Sequence, residues 1–188
     1  ENLVDHFTHD RIGLVVFAGD AFVQLPITTD YVSAKMFLQN IDPSLVATQG
    51  TDIAKAINLS MRSFSQQKDI GKAVIVITDG EDHEGGALEA AKAANDKGVR
   101  VFILGIGSTK GAPIPLQEGG YLTDRNGQTV LTALNETMCK EIAQAGKGTY
   151  IHVDNTNDAQ EKLNDELAKL QRADTQAVIY SEYGEQFQ

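Results

Sequence analysis

Two oxygen donors stand where a folded chain would expose them. Thr51 follows Gly50 and opens the pattern "TDIAKAINLSMRSF". Asp79 ends the apolar run Ala73 to Ile77 through Thr78-Asp79-Gly80. A hydroxyl and a carboxylate are hard ligands and suit Mg²⁺ or Mn²⁺, ions that bind few protein groups and keep several waters. Each has a plainer use: threonine is a favoured helix cap, and aspartate before glycine suits a turn. Beyond Asp79 come Glu81, Asp82, His83 and Glu84. These read either as a solvated loop entering a helix N-terminus, where acids are favoured, or as a rim that shapes partner choice around a cation. His83 is the histidine placed to join them. His6, His9 and His152 have no second histidine at ligand spacing, so a zinc site is not expected.

The elements that must position these residues alternate. "IGLVVFA" is a continuous β-branched apolar run, and Gly19-Asp20 joins it to "AFVQLPIT", whose Pro26 suits an edge strand. These two runs are expected to form an antiparallel hairpin at the sheet margin. Asp30 is placed to cap a helix over "YVSAKMFLQNI". Ile53, Ile57, Met61 and Phe64 recur at helical spacing. The strand Ala73 to Ile77, a helix ended by Gly98, the strand Val99 to Ile106, the helix "NETMCKEIAQAGKG", the strand "TYIHV" and the helix "NDAQEKLNDELAKLQRA" follow. Strands apolar on both faces and separated by helices mean a parallel sheet covered on both sides. The predicted class is therefore α/β, a Rossmann-like, doubly wound, mostly parallel sheet with one antiparallel edge strand. Residues 107–132 depart from the alternation and carry a hairpin signal: Tyr121–Asp124 and Gln128–Leu131 flank Arg125-Asn126-Gly127. We read one domain over 1–172, with 107–132 inserted, and a tail over 173–188.

Composition narrows the function. A formal charge of −10 argues against nucleic acid, whose binding rests on cationic neutralisation of phosphate, and is compatible with a cation. The single cysteine, Cys139, excludes an intrachain disulfide and sits in a helical pattern as a small core residue. No apolar stretch reaches the roughly 18 to 20 residues that span a bilayer. The opening "ENLVDHFTHDRIGLVVF" reads as the end of a helix leading into a strand, the look of a piece of something longer.

"RIGLVVFAG", "TQGTDIAKAI" and "AVIVITDGED" resemble segments of von Willebrand factor A domains. "GVRVFILGIGSTKGAPIP" with "GGYLTDRNGQTVLTALNE" is similar to the A domain of bacterial aerotolerance-type (Bat) membrane proteins. The resemblance implies a metal-ion-dependent adhesion site, with Thr51 and Asp79 as its residues here. The family's Asp-x-Ser-x-Ser motif, which ends its first strand, does not occur in this sequence. The resemblance thus implies an incomplete site, with weak or absent metal binding. It also implies a missing central strand between Ile12–Ala18 and Ala73–Ile77. The gap is expected to be closed by direct pairing, by the tail segment "TQAVIYSEY", or by another copy of the chain. Also implied are anchoring through segments outside this chain, a domain facing the periplasm from the bacterial inner membrane, a role in stress tolerance, and other A-domain proteins and a MoxR-type ATPase as partners.

The leading reading is a non-enzymatic interaction module in which a partner carboxylate completes the metal's coordination. The alternative is a Mg²⁺-dependent phosphoryl-transfer enzyme using Asp79, with Asp20 and Lys72 as further members of its site. "GIGSTKG" lacks the full nucleotide-loop fingerprint and is followed by "APIP" rather than a helix.

Overall fold

The computed structural model describes residues 10–41, 50–67, 70–80, 82, 84–113, 119–124, 126–129, 131–154 and 158–170. Strands β1 (Ile12–Phe17) and β2 (Ala21–Thr28) form the expected antiparallel hairpin, with Phe17 opposite Ala21. Asp30 caps α1 (Tyr31–Gln39) by accepting from the Ser33 N–H at 3.0 Å. The chain continues through α2 (Ile53–Ser63), β3 (Lys72–Thr78), α3 (Ala87–Asp96), β4 (Val99–Ile106), β5 (Ala112–Pro113), β6 (Leu131–Thr132), α4 (Glu136–Ala145) and β7 (Lys147–Val153). A last helix, α5, covers 158–170.

Strands β3, β4 and β7 make one parallel sheet in that order. Side chains of a strand alternate between faces, and β4 shows why both faces had to be apolar. Val99, Val101 and Ile103 join Ile53, Ile57, Ala91 and Ile142 under α2, α3 and α4. Phe102 and Leu104 join Ile151, Ala159 and Leu163 under α5. Cys139 is fully buried in the first of these layers. Close packing of β4 on β7 requires small residues. A Cβ on Gly146 would stand 2.5 Å from the Val101 Cβ, and one on Gly148 would collide with the Val101 carbonyl.

Two expectations are corrected. The insertion does form a hairpin, but among the described residues its predicted strands come down to bridges at Tyr121 and at Thr123, the latter with Thr129, beyond a two-residue ladder of β5 with β6. Asp124 organises the tip: its Oδ1 accepts from the Asn126 and Gln128 N–H groups at 2.8 and 2.9 Å. Tyr121 and Leu122 are exposed, so no apolar face is buried that would lengthen the strands. Direct pairing across the missing-strand gap also fails. Among the described residues β1 and β3 belong to separate sheets. Helix α2 covers both, since Phe17 packs into the same layer as Ile53 and Ile57. A helix about 10 Å across spans more than one strand spacing of about 4.8 Å, so both edges can sit beneath it without meeting. Consistent with an open edge, Ile77 of β3 is 51% exposed. The tail segment proposed as a filler, and Glu81 and His83 of the acidic cluster, lie outside the described residues.

Candidate metal-ion site

The parallel strands carry one end of the molecule to a common carboxyl edge, the place where open α/β sheets bind ligands. Two contacts bring α2 to that edge. The Asp52 N–H donates to the Ala18 carbonyl at 2.8 Å, just beyond β1. Gly50 holds φ at +126°, and a Cβ there would lie 3.3 Å from Gly19 Cα, so only glycine suits this approach. The cap of α2 is Asp52, not Thr51: Asp52 Oδ1 accepts from the Lys55 N–H at 2.8 Å. Thr51 is half-buried beside it, and its hydroxyl is not used by the cap.

Asp79 is exposed directly after β3. Its turn is fastened on both sides. Buried Thr78 accepts the Gly80 N–H on its Oγ1 at 3.1 Å. Gly80, at φ +86°, lies so close to Asn135 that a Cβ would meet the Asn135 nitrogen at 2.7 Å. Asn135 caps α4, accepting from the Met138 N–H at 3.2 Å. Asp79 therefore stands near the start of α4, where the positive end of the helix favours a carboxylate. The Cys139 thiol senses it: its pKa is pushed up to about 11, by burial first and then by the charges of Asp79 and Glu136. The start of α3 closes the rim against α2: a Cβ on Gly86 would lie 3.6 Å from the Ala54 Cβ. Thr51 and Asp79 thus share one edge of the fold.

Other residues gather near this edge, and of these Lys55, Glu136 and Tyr150 escaped the sequence reading. Lys55 donates to the Gly19 carbonyl at 2.9 Å and lies 3.4 Å from Asp52 Oδ2 and 3.9 Å from Asp20 Oδ1. It ties the β1–β2 turn to α2. Its only signal was one helical turn of separation from Thr51. Asp82 Oδ1 is buried without a hydrogen-bond partner, an acceptor left wanting a donor or cation. Glu136 is held below the usual carboxylate range, first by its bond to Lys140 and also by the Tyr150 hydroxyl. Burial first, then Glu136, pushes the Tyr150 phenol far above its ordinary value. His152 Nε2 lies 2.9 Å from the Gly107 carbonyl and is occupied there.

The donor chemistry fits a hard divalent cation, in short supply of ligands. Among the described residues no three His, Cys, Asp or Glu side chains gather into a metal-holding group. The phosphoryl-transfer alternative loses its lysine. Lys72 opens β3, so the strand's seven residues at about 3.3 Å each put it roughly 20 Å from Asp79. Its ammonium instead donates to the Ser65 and Gln67 carbonyls at 2.7 and 2.5 Å.

The fold and this edge define a von Willebrand factor type A domain. The model of that family matches residues 1–166, and the chain belongs to the family. Two solved structures are similar over most of their length. BatB from Bacteroides thetaiotaomicron is 56% identical with a TM-score of 0.85, over 91% of this chain and 84% of that one. An aerotolerance-related membrane protein from Bacteroides fragilis is 55% identical with a TM-score of 0.83, over 89% and 83%. Proximal thread matrix protein 1 of the mussel byssus, solved with a zinc-occupied MIDAS motif, shares the fold at 16% identity and a TM-score of 0.57, over 90% of this chain and 37% of that one. The chain spans 30% and 25% of the length of two curated relatives that it matches. No described helix is long and apolar enough to cross a membrane.

Proposed function

We propose that this domain is a non-enzymatic protein-interaction module of a membrane-anchored, aerotolerance-related protein, and that it reads an acidic group on its partner through a divalent cation. The observation that carries this reading is the arrival of Thr51 and Asp79 at one edge from different elements, with the capping duty taken by Asp52. Thr51 Oγ1 and an Asp79 carboxylate oxygen are the protein ligands. Mg²⁺ or Mn²⁺ is the expected ion, since both accept oxygen donors and retain water. Two protein ligands hold such an ion weakly, so a partner carboxylate that supplies a third charge-bearing contact gains affinity from the cation and lends it in return. The ion's part is to bridge two anions that would otherwise repel. The 55% identity to an aerotolerance-related membrane protein supports membrane association; placement at the bacterial inner membrane, facing the periplasm, through segments outside this chain, is part of the proposal. Other A-domain proteins, a MoxR-type ATPase and a second copy of the chain at the open β3 edge are the proposed partners.

Capture of envelope proteins on immobilised domain tests the reading. Material released by EDTA and restored by Mn²⁺, and absent with Asp79→Asn, is the expected outcome. Capture indifferent to EDTA and to Asp79→Asn would refute it.

A further inference from the structure

The strand direction that gathers acids at the carboxyl edge gathers cations at the other. Lys72 opens β3, Arg100 is the second residue of β4, and Lys147 opens β7. Arg11 directly precedes β1, Arg62 lies in the last turn of α2, and Lys97 follows the end of α3. Arg11, Arg62, Lys97 and Lys147 are exposed. The described acids of this edge are fewer: Asp10 and Asp30 in the connections, Asp96 at the end of α3, and exposed Asp165 in α5 beside Glu166, which is already paired to Lys169. A protein of net charge −10 thus presents one basic end.

That end is also apolar in places. Ile70, two residues before Lys72, is 48% exposed. Between the ends of α2 and α3 an open groove of about 490 Å³ sets half-buried Met61 and Phe64 among the polar side chains of Asn58 and Gln66, with Arg62 and Lys97 at its sides. Cations around partly exposed apolar side chains match a bilayer surface, where headgroup phosphates lie over acyl chains, better than they match a purely ionic polymer.

We propose that the amino edge of the sheet is a docking surface for an anionic phospholipid bilayer, with Arg62 and Lys97 taking headgroup phosphates at the α2–α3 groove. This names the surface that faces the membrane in the placement proposed above, and rests on that placement for its setting alone. Screening makes it workable. The two edges are roughly 20 Å apart along β3, more than two Debye lengths of about 8 Å at physiological salt, so the acidic edge is hidden from the bilayer there. At about 0.01 M salt the Debye length is about 30 Å, and the acidic edge repels the same surface.

Co-sedimentation of the 188-residue chain with phosphatidylglycerol–phosphatidylcholine vesicles, against pure phosphatidylcholine, tests the proposal. Partition should favour the anionic vesicles and pass through a maximum between low and high salt. Arg62→Gln with Lys97→Gln should weaken it on the order of twentyfold, about fivefold per basic residue near an anionic leaflet. Lys110→Gln, an exposed change near the carboxyl edge, should leave it unchanged, and circular dichroism should show all variants folded. Asp79→Asn should also bind as the parent does, which separates this surface from the cation site. Equal partition onto both vesicle types, equal loss with Lys110→Gln, or retention on a polyanion column without vesicle preference would overturn it.

Discussion

At the scale of residues, adjacent side chains divide the work. Thr51 and Asp52 are both cap formers, and sequence alone could not choose between them. The structure commits Asp52 to the cap and leaves Thr51 half-buried beside it, without a part in the cap. Gly80 is the least replaceable neighbour of Asp79. Alanine there would be strained by the positive φ and would also press on the Asn135 backbone. We expect Gly80→Ala to cost about 2 kcal/mol or more in urea unfolding and to lower Mn²⁺ affinity, because the turn and the cap of α4 must move together. A cost below about 0.5 kcal/mol would contradict the packing described. Cys139 gives a second test. Its thiol keeps its proton in the fold up to about pH 11, while the unfolded chain loses it near 9. The folded state therefore binds more protons between those values, and stability should fall as pH rises through that window. It should not fall there in Cys139→Ala. Native protein should also resist thiol reagents at neutral pH, since the thiolate is the reactive form.

At the scale of elements, the parallel strands were legible because a sheet covered on both faces demands apolar residues at every position, and "AVIVI" and "VRVFILGI" supply them. The hairpin was legible from Gly19-Asp20 and Pro26. The short ladders of the insertion were not, because alternation in sequence promises a strand only where a face finds something to cover. Lys55 was missed for a similar reason: its partners Gly19 and Asp20 lie more than thirty residues away. The open edge of β3 makes its own prediction. Strand β4 has neighbours on both sides, whereas β3 pairs with β4 alone among the described residues. In hydrogen exchange the β4 amides should be uniformly slow. The β3 amides that point away from β4 should exchange with the solvent-exposed class. Uniform protection across β3 would mean that a strand from elsewhere, in this chain or a second copy, already fills the gap.

At the scale of the whole molecule, the strand axis separates charge and duty. Acids and the Thr51–Asp79 edge occupy the carboxyl end; Arg11, Arg62, Lys72, Lys97, Arg100 and Lys147 occupy the amino end. The family resemblance was carried by three short motifs in order, and the family match over residues 1–166 agrees with it. What those motifs could not convey was the division of the sheet, because pairing between β1 and β3 depends on what lies between them rather than on either strand. The ligand count at the carboxyl edge has the same origin. With two donors from this chain, affinity for a free divalent ion is expected in the millimolar range rather than the micromolar, as isothermal titration would report.

The central claim is that a hydroxyl from the start of α2 and a carboxylate from the end of β3 meet around one hard cation. Paramagnetic broadening of backbone amides by Mn²⁺ addresses it most directly. The account predicts that Gly50–Asp52 and Asp79–Gly80 broaden together at low millimolar Mn²⁺, and that Asp79→Asn abolishes both effects at once. Broadening at Asp79 with Thr51 untouched, or an effect at Thr51 that survives Asp79→Asn, would contradict it.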